Sequence, residues 1–489
     1  MLDRAQQDEI GTAVLRVCDV FRGVSAPGDS IHFTLAMLLL KYVSDNGQDS
    51  GRPGQARPDA GQWVVPDGAD FFALHALRLE PDNGWRIDQA LRALEEANAP
   101  LRGAFQGISF NATALGSAEQ KEHVLRQLLE TFNVAALNFC TELTDSAEAV
   151  AYACDLLIRY AAESRGKWGE EFLTPSEISQ LIARLMEPKG GETICDPFCG
   201  SGSLLIACSK QAHQSLGGKD CSLYGQEKNG GTWALAKMNM ILHSESRCQL
   251  EWGDTLRAPK LLSADGSLEK FEIVVSSPPI SLRDWGAEEA AQDVYQRYWR
   301  GVPRASGDYA VISHMLETLK PEVGRMAVVV SHGVLFRGGV EGKIRERLIE
   351  ENSIDAVIAL PVKMLYHVGI PVALLVMRKN KADDGVLFID ASRDYQYGKT
   401  QNVLRVSDLE RIESTYRARE NVPQYSRLVA RTEIASYDYN LNVARYVEQS
   451  EEEERIDLTA LRAERARLNA ELASLEAKLA ILLQEIGHA

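Results

Sequence analysis

Long apolar runs are missing from this 489-residue chain. Its most apolar early stretch, Phe33 to Val43, is too short to cross a bilayer and contains Lys41. The polar opening Met1-Leu2-Asp3-Arg4 has no secretory pattern, so a cytoplasmic protein with no membrane association is expected. Paired cysteine motifs are missing as well. The eight cysteines include no Cys-x-x-Cys, and no histidine stands at zinc-finger spacing from Cys195 and Cys199. Reduced, mostly buried thiols are expected, with no disulfide and no metal. Basic charge is scarce, 53 Lys and Arg against 69 Asp and Glu, for a net charge of −16. Phosphate neutralisation supplies most of the affinity of a protein that holds nucleic acid unaided, so this balance argues against independent tight DNA binding. It permits a DNA enzyme whose grip comes from a partner.

What is present is ordinary for a globular protein, 45 % apolar and 25 % charged residues, over a length that suits two or three domains. Residues 1–165 read as a helical domain, with Ile10, Val14, Val17 and Phe21 at helical spacing, as are Val124, Leu125, Leu128 and Leu129. Gly47 to Gln62, rich in Gly, Pro, Gln and Asp, reads as a loop or linker. In residues 166–447, apolar runs at 193–196, 223–226, 249–252, 273–276, 326–331, 356–360 and 372–377 alternate with helical patterns. That alternation predicts an α/β fold, a Rossmann-like seven-stranded sheet that is mainly parallel and covered on both faces. Residues 448–489 predict a coiled-coil helix. Leu461, Leu468, Leu475 and Leu482 recur every seven residues, as do Leu458, Leu472, Leu479 and Ile486, with Arg465 the polar break in the second register. Such a terminal seam calls for a partner helix.

The candidate site centres on Thr193-Ile194-Cys195-Asp196-Pro197-Phe198-Cys199-Gly200-Ser201-Gly202-Ser203. A short strand ends in an acid, a proline turns the chain, and two glycines open an apolar helix. The glycines let backbone approach a ligand, and the helix start offers unpaired N–H groups. An NAD-type reading is the natural rival, but no third glycine falls at dinucleotide spacing. Glu227, ending the next strand, can accept both hydroxyls of a ribose or merely cap the next helix. Asp254, ending the third, suits an exocyclic amine or a local turn bond.

Around the cradle stand Glu171-Phe172-Leu173-Thr174-Pro175, Leu223-Tyr224-Gly225-Gln226-Glu227, Gly253-Asp254-Thr255-Leu256 and Ser277-Pro278-Pro279-Ile280, in that order. The series resembles, motif by motif and over nearly the whole chain, the modification (methyltransferase) subunit of Type I restriction–modification systems, a class I S-adenosylmethionine-dependent DNA methyltransferase. The resemblance implies a methyltransferase version of the Rossmann-like fold. It assigns Glu171, Phe172, Leu173, Thr174, Pro175, Asp196, Pro197, Gly200, Ser201, Gly202, Glu227 and Asp254 to S-adenosylmethionine, and Ser277, Pro278, Pro279 and Ile280 to catalysis. It implies double-stranded DNA and a DNA-specificity subunit as partners, and leaves open a restriction (nuclease/translocase) subunit. Asp438-Tyr439-Asn440-Leu441-Asn442 resembles the segment closing the family's catalytic domain. Gly333 to Gly339 resembles a family loop of no derivable role.

The tetrapeptide Ser277-Pro278-Pro279-Ile280 departs from the family, which has Asn first and Phe or Tyr last. An exocyclic base amine is a weak nucleophile, and accepting its two hydrogens on a side-chain oxygen and a backbone carbonyl localises its lone pair. The target base must also leave the duplex and stack on an aromatic ring. Ser277 can accept one bond. Ile280 has no π face, a loss of about 1–3 kcal/mol on the scale of base–aromatic contacts. Three readings stand: methylation of adenine N6 or cytosine N4, the same with stacking supplied by Tyr295, Tyr298 or Trp299, or a cofactor-binding assembly subunit that no longer transfers methyl. Arg283, Tyr295, Tyr298 and Trp299, in the most basic and aromatic stretch of the chain, are the candidate DNA contacts. A surface loop with core-packing aromatics is the alternative for that stretch.

Overall fold

The computed structural model describes residues 2–24, 27–49, 63–140, 146–164, 173–214, 220–245, 247–366, 368–399, 401–447 and 458–485. Six helices come first: α1 (Arg4–Val20), α2 (Pro27–Asn46), α3 (Phe71–Ala76), α4 (Asn83–Ala97), α5 (Ala118–Phe132) and α6 (Ser146–Ser164). Their starts are written locally. Asp3 accepts the Gln6 N–H while the Gln6 amide bonds back to the Asp3 N–H, and Ser117 and Gln120 do the same for α5. The expected apolar stripes are buried: Ile10, Val14 and Val17 on α1, Val124, Leu125, Leu128 and Leu129 on α5. Most of the stretch expected as a loop lies outside the described residues; at its edge Gly47–Asp49 (β1) pairs parallel with Trp63–Val65 (β2).

One ion pair sits inside this helical core. The side chains of Lys41 and Asp45 are 3 % and 0 % exposed and bond to each other, and Asp45 also accepts the Phe139 N–H at 3.0 Å. Burial pushes the Asp45 carboxyl up, and the Lys41 ammonium opposes that shift.

The second part is a nine-stranded sheet in the order β11-β10-β8-β9-β7-β6-β3-β4-β5. Its strands are β3 (Thr193–Asp196), β4 (Ser222–Glu227), β5 (Cys248–Trp252), β6 (Ile273–Ser276), β7 (Arg325–Ser331), β8 (Ile354–Ala359), β9 (Val372–Arg378), β10 (Gly385–Asp390) and β11 (Ser426–Ala430). The seven expected strands are all there, and the count of seven is corrected to nine. Beyond them β10 pairs parallel to β8, and β11 closes the edge antiparallel to β10. β10 is buried throughout, Gly-Val-Leu-Phe-Ile-Asp, and its setting among charged and polar segments hid it. β9 runs antiparallel to both β7 and β8. Helices α7 (Ser176–Met186), α8 (Ser203–Gln214), α9 (Gly230–Leu242), α10 (Asp308–Glu317), α11 (Gly339–Glu350), α12 (Val406–Ala418) and α13 (Arg431–Ser436) accompany the sheet.

The helical core and the sheet share packing, because Leu235, Met238 and Leu242 of α9 belong to the apolar cluster built by α1 to α6. Residues Met1–Val447 accordingly form one compact unit, and Glu448–Ala489 a second. The expected boundary at 165/166 lies outside the described residues. The second unit holds α14 (Leu458–Glu485), on which Leu468, Leu472, Leu475 and Leu479 are each more than half exposed. Among the described residues no helix is long and apolar enough to cross a membrane.

The buried pair generates a stability prediction. Lys41→Met strips the buried Asp45 carboxyl of its counter-charge, so urea unfolding should show a loss of about 3–5 kcal/mol. Lys41→Met with Asp45→Leu should recover most of it, short of the cost of the orphaned Phe139 N–H.

Candidate active site

The cradle forms where β3, β4 and β5 end side by side. After Asp196 the chain turns through Pro197, and the Cys199 N–H bonds the Gln226 carbonyl at 3.1 Å, tying the turn to β4. Gly200 and Gly202 take φ of +52° and +77°, a region that strains any side chain. A Cβ at Gly202 would also stand 2.7 Å from the Met240 methyl of α9. On β4, a Cβ at Gly225 would lie 2.6 Å from Leu250 and 3.0 Å from the Cys199 sulfur. Gly202 is thus favoured by its positive φ, and at both positions the facing side chains would have to shift to admit a Cβ.

Three carboxylates gather there. Asp196 is 2 % exposed; its Oδ1 accepts the Phe198 N–H at 3.0 Å, the short-range bond that sets the turn. Burial raises its pKa to about 7, Glu227 adds to the rise, and the Phe198 N–H and the Ser276 hydroxyl oppose it. Glu227 accepts the Gly200 N–H on Oε2 at 3.1 Å and the Asn229 N–H on Oε1 at 2.7 Å. It thus joins the glycine turn of β3 to the start of α9. Asp254 bonds the Leu256 and Arg257 N–H groups at 3.1 and 3.3 Å and pairs with the Lys228 ammonium at 2.8 Å. The local turn bond is present, and the second oxygen faces a half-exposed lysine that a ligand can displace. The Thr255 hydroxyl donates to the Pro197 carbonyl at 2.6 Å, closing the ring of contacts.

Upstream, Glu171 and Phe172 lie outside the described residues. Pro175 is the N-cap of α7, one position earlier than a first helical residue, and its carbonyl accepts the Ser179 N–H at 3.0 Å. Leu173 and Thr174 line a cavity of about 440 Å³ with Ser203, Lys210 and Tyr366, on the flank of α8. Ser201 is buried, its carbonyl accepting the Asn239 amide N–H at 2.8 Å.

β6 lies between β3 and β7, so Ser277-Pro278-Pro279-Ile280 emerges beside Asp196. Pro278 is buried, and Ile280 is half-buried against the apolar cluster that includes Cys199 and Met364. The next residue, Ser281, is held at φ +58° with its N–H on Asp308 at 3.1 Å.

The basic and aromatic loop that follows is largely structural. Tyr298, expected at DNA, is 6 % exposed, packed edge-on against buried Trp285 with the Arg297 guanidinium over its ring, and so offers no free face to a base. Arg297 is buried on Asp293 and the carbonyls of Thr255 and Leu256, and Arg300 on Glu317 and Glu351. Tyr295 is half-buried, whereas Trp299 and Arg283 are exposed. Trp299 carries the Arg300 guanidinium 4.3 Å from its ring centre and bonds Glu317 through its indole N–H. Asp308 and Arg337, which fasten the tip, and Lys228, which pairs with Asp254, were not singled out from the sequence. Their partners lie far along the chain or on an unremarkable surface, and only Arg337 had a signal, the Gly333–Gly339 motif.

The strand order, the glycine turn and the three acids beside it define an α/β protein with a methyltransferase-like sheet. The N-6 DNA Methylase family pattern matches residues 146–455, and that of the HsdM N-terminal domain residues 10–132. The methylase subunit of the Type I restriction enzyme MpnII from Mycoplasma pneumoniae is 29 % identical over 93 % of this chain and 92 % of its own. The MjaVII methylase subunit from Methanocaldococcus jannaschii is 32 % identical over 80 % of this chain and 68 % of its own. The crystal structure of a type I restriction–modification methyltransferase subunit from Streptococcus thermophilus superposes with a TM-score of 0.81 at 27 % identity, covering 91 % of this chain and 100 % of that one. The chain belongs to the N-6 DNA methylase family, among the methylase subunits of Type I restriction–modification systems.

The buried acid generates the second prediction. A carboxyl raised to about 7 is protonated in the folded state at pH values where the unfolded chain is ionised. Its stabilising contribution is full at low pH and is lost as pH rises through 7. From pH 6 to pH 8 the parent should lose about 1.4 kcal/mol that Asp196→Asn does not lose, read from urea unfolding at the two pH values.

Proposed function

We propose that this chain transfers the methyl group of S-adenosylmethionine to N6 of adenine in double-stranded DNA, within a Type I complex whose sequence recognition comes from a separate specificity subunit. The observation that carries the reading is the convergence of Asp196, Glu227 and Asp254 around a glycine turn, directly beside the Ser-Pro-Pro tip. Membership of the N-6 methylases selects adenine over the cytosine alternative.

The residues suit the cofactor. The turn has room for backbone but not for a side chain, and three acceptors face a molecule rich in O–H and N–H donors. Glu227 would take the ribose hydroxyls, Asp254 the exocyclic amine of the cofactor's adenine, and Asp196 would order the turn and meet the cationic methionine amine. Leu173, Thr174 and Pro175 would cover the methionine end. When bound, the cofactor supplies an electrophilic methyl group. The protein's part is to bring the target amine in line with it: the Ser277 hydroxyl and the Pro278 carbonyl accept the two amine hydrogens, which localises the lone pair. Ile280 would give the extruded base apolar contact without a stacking face, and of the three candidate aromatics Trp299 is the exposed one, Tyr298 being buried and Tyr295 half-buried.

The acidic balance fits the division of labour. α14 would dock the specificity subunit through Leu468, Leu472, Leu475 and Leu479, and domains 1–165, 166–447 and 448–489 would serve as helical, catalytic and docking modules. A nuclease–translocase subunit would join the full restriction assembly. A second reading, an assembly subunit that has lost transfer, is favoured by the Ser and Ile of the tip.

Base-resolved sequencing of DNA from cells expressing the chain with its specificity partner decides between them. N6-methyladenine at a defined site is expected; its absence, with cofactor binding retained, selects the assembly subunit. In the assembled complex Ser277→Ala should slow transfer about tenfold, the loss of one hydrogen bond, with the cofactor Kd unchanged in calorimetry. Leu468→Asp with Leu475→Asp should release the partner on co-purification while the catalytic unit stays folded.

A further inference from the structure

The tip that would grip the base has a mechanical peculiarity. Pro278 and Pro279 fix two successive φ angles and have no N–H by which the backbone could be fastened. The direction of the Pro278 carbonyl is therefore set by what holds the two ends of the segment. One end is β6, in register with β3 and β7. The other is Ser281, a non-glycine residue at φ +58° whose N–H is accepted by Asp308 Oδ1 at 3.1 Å. Such a conformation persists only where its surroundings over-determine it.

Asp308 is the first residue of α10, and its side chain is 8 % exposed. Its other oxygen accepts the Ser306 hydroxyl at 3.0 Å and Arg337 Nη2 at 2.5 Å. Arg337 Nε in turn donates to Glu341 Oε2 at 2.6 Å, and the Glu341 side chain is 6 % exposed. One guanidinium thus bridges two buried carboxylates that would otherwise repel. Arg337 is itself aimed by its loop. A Cβ at Gly333 would lie 2.7 Å from Arg337 Nη1, so the glycine makes room for the guanidinium. Arg345 bonds the carbonyls of Arg337, Val334 and Tyr439, which locks the loop to the Asp438–Asn442 segment. This gives the Gly333–Gly339 motif work that its sequence did not reveal.

We propose that Asp308 and Arg337 are positioning residues for methyl transfer: Asp308 fastens the Ser-Pro-Pro-Ile tip through the Ser281 N–H, and Arg337 holds that carboxylate in place. The assignment rests on the proposed reading of the tip as the base grip. The clamp's bonds reach none of Asp196, Glu227 and Asp254, so its loss should alter the rate of transfer and leave cofactor binding alone.

The test uses the chain assembled with its specificity partner and a duplex carrying the recognised site. Single-turnover transfer at saturating S-adenosylmethionine, cofactor Kd, urea midpoint and amide hydrogen exchange are compared. The peptide spanning Ser277 to Arg283 contains two prolines, so few amides report besides Ser281. Asp308→Ala and Arg337→Ala should slow transfer about tenfold or more per folded molecule, the effect of a small misplacement, with unchanged cofactor Kd and faster exchange at Ser281. Gly333→Ala, which displaces the guanidinium but keeps every charge, should fall between them and the parent. Asp308→Asn keeps an acceptor for Ser281 and should restore part of the rate lost in Asp308→Ala. Lys41→Met controls for stability: it lowers the urea midpoint and should leave transfer per folded molecule and Ser281 exchange at parental values. The proposal is overturned if Asp308→Ala transfers at the parental rate, if Lys41→Met loses as much as Asp308→Ala, or if Ser281 exchange is unmoved. Should the parent complex transfer no methyl, the functional reading fails on its own, and the exchange measurement still decides whether the clamp exists.

Discussion

The parallel register of β3 with β4 on one side and β6 on the other is the constraint on which the site depends. Asp196 pairs with Gly225, and Ile194 and Cys195 with Ile273 and Val274. Parallel strands deliver their carboxyl ends to one edge, so the acid of β3, the acid of β4 and the tip after β6 arrive together without further instruction. Shifting β4 by one residue would turn Gly225 away and put a side chain where Cys199 and Leu250 leave no room. The two glycines of the turn then decide how closely backbone can approach whatever lies beyond that edge.

Electrostatics give the edge its selectivity. Three carboxylates within one ring of contacts make a site that favours donors and positive charge over phosphate. Asp196 bears most of the strain: burial opposes its ionisation, so a cation beside it and the ionised acid stabilise each other. The half-exposed Lys228–Asp254 pair contributes little to stability, on the scale of about 0–1 kcal/mol, and is easily exchanged for a ligand amine. The basic groups of the following loop do the opposite work. Arg297 and Arg300 are held inside the protein on Asp293, Glu317 and Glu351, which takes two of the loop's cations away from the surface and leaves Arg283 exposed.

Much of this was legible in the residues. Seven strands and five of the helices beside them follow from apolar runs and helical spacing, and the acids that end β3 and β4, with Asp254 two residues past β5, stand at positions that announce themselves. What composition does not state is burial. Tyr298 and the loop around it read as a DNA surface because arginine and aromatics together suit both a nucleic-acid face and a core with buried guanidinium groups, such as those of Arg297 and Arg300. The partners that decide between these, such as Glu351 for Arg300, lie outside any local window. β10 and β11 were missed because they lie in a largely polar stretch: β10 is buried on both faces and shows no alternation, and β11 buries only its Ser426 and Val429 positions. The clamp on Ser281 was invisible for the same reason as the arginine pairs, since Asp308, Arg337 and Glu341 meet only in the fold.

The helix α14 carries the pattern on which the proposed docking of a partner rests. Over its middle, Leu468, Leu472, Leu475 and Leu479 fall at intervals of four, three and four, the a/d spacing of a coiled-coil seam, and every one is more than half exposed. A surface helix of a monomer places such a stripe against its own core. Here the residues between the leucines are Ala, Asn, Ser, Glu and Lys, which solvate the remaining faces and leave one apolar line uncovered. Burying it recovers about 25 cal/mol for each Å² removed from water, so a partner helix stabilises α14 as much as α14 holds the partner. Under the proposed reading, an acidic unit whose Arg297 and Arg300 are held internally would draw its hold on DNA from a partner, and this exposed leucine line is where that partner would dock.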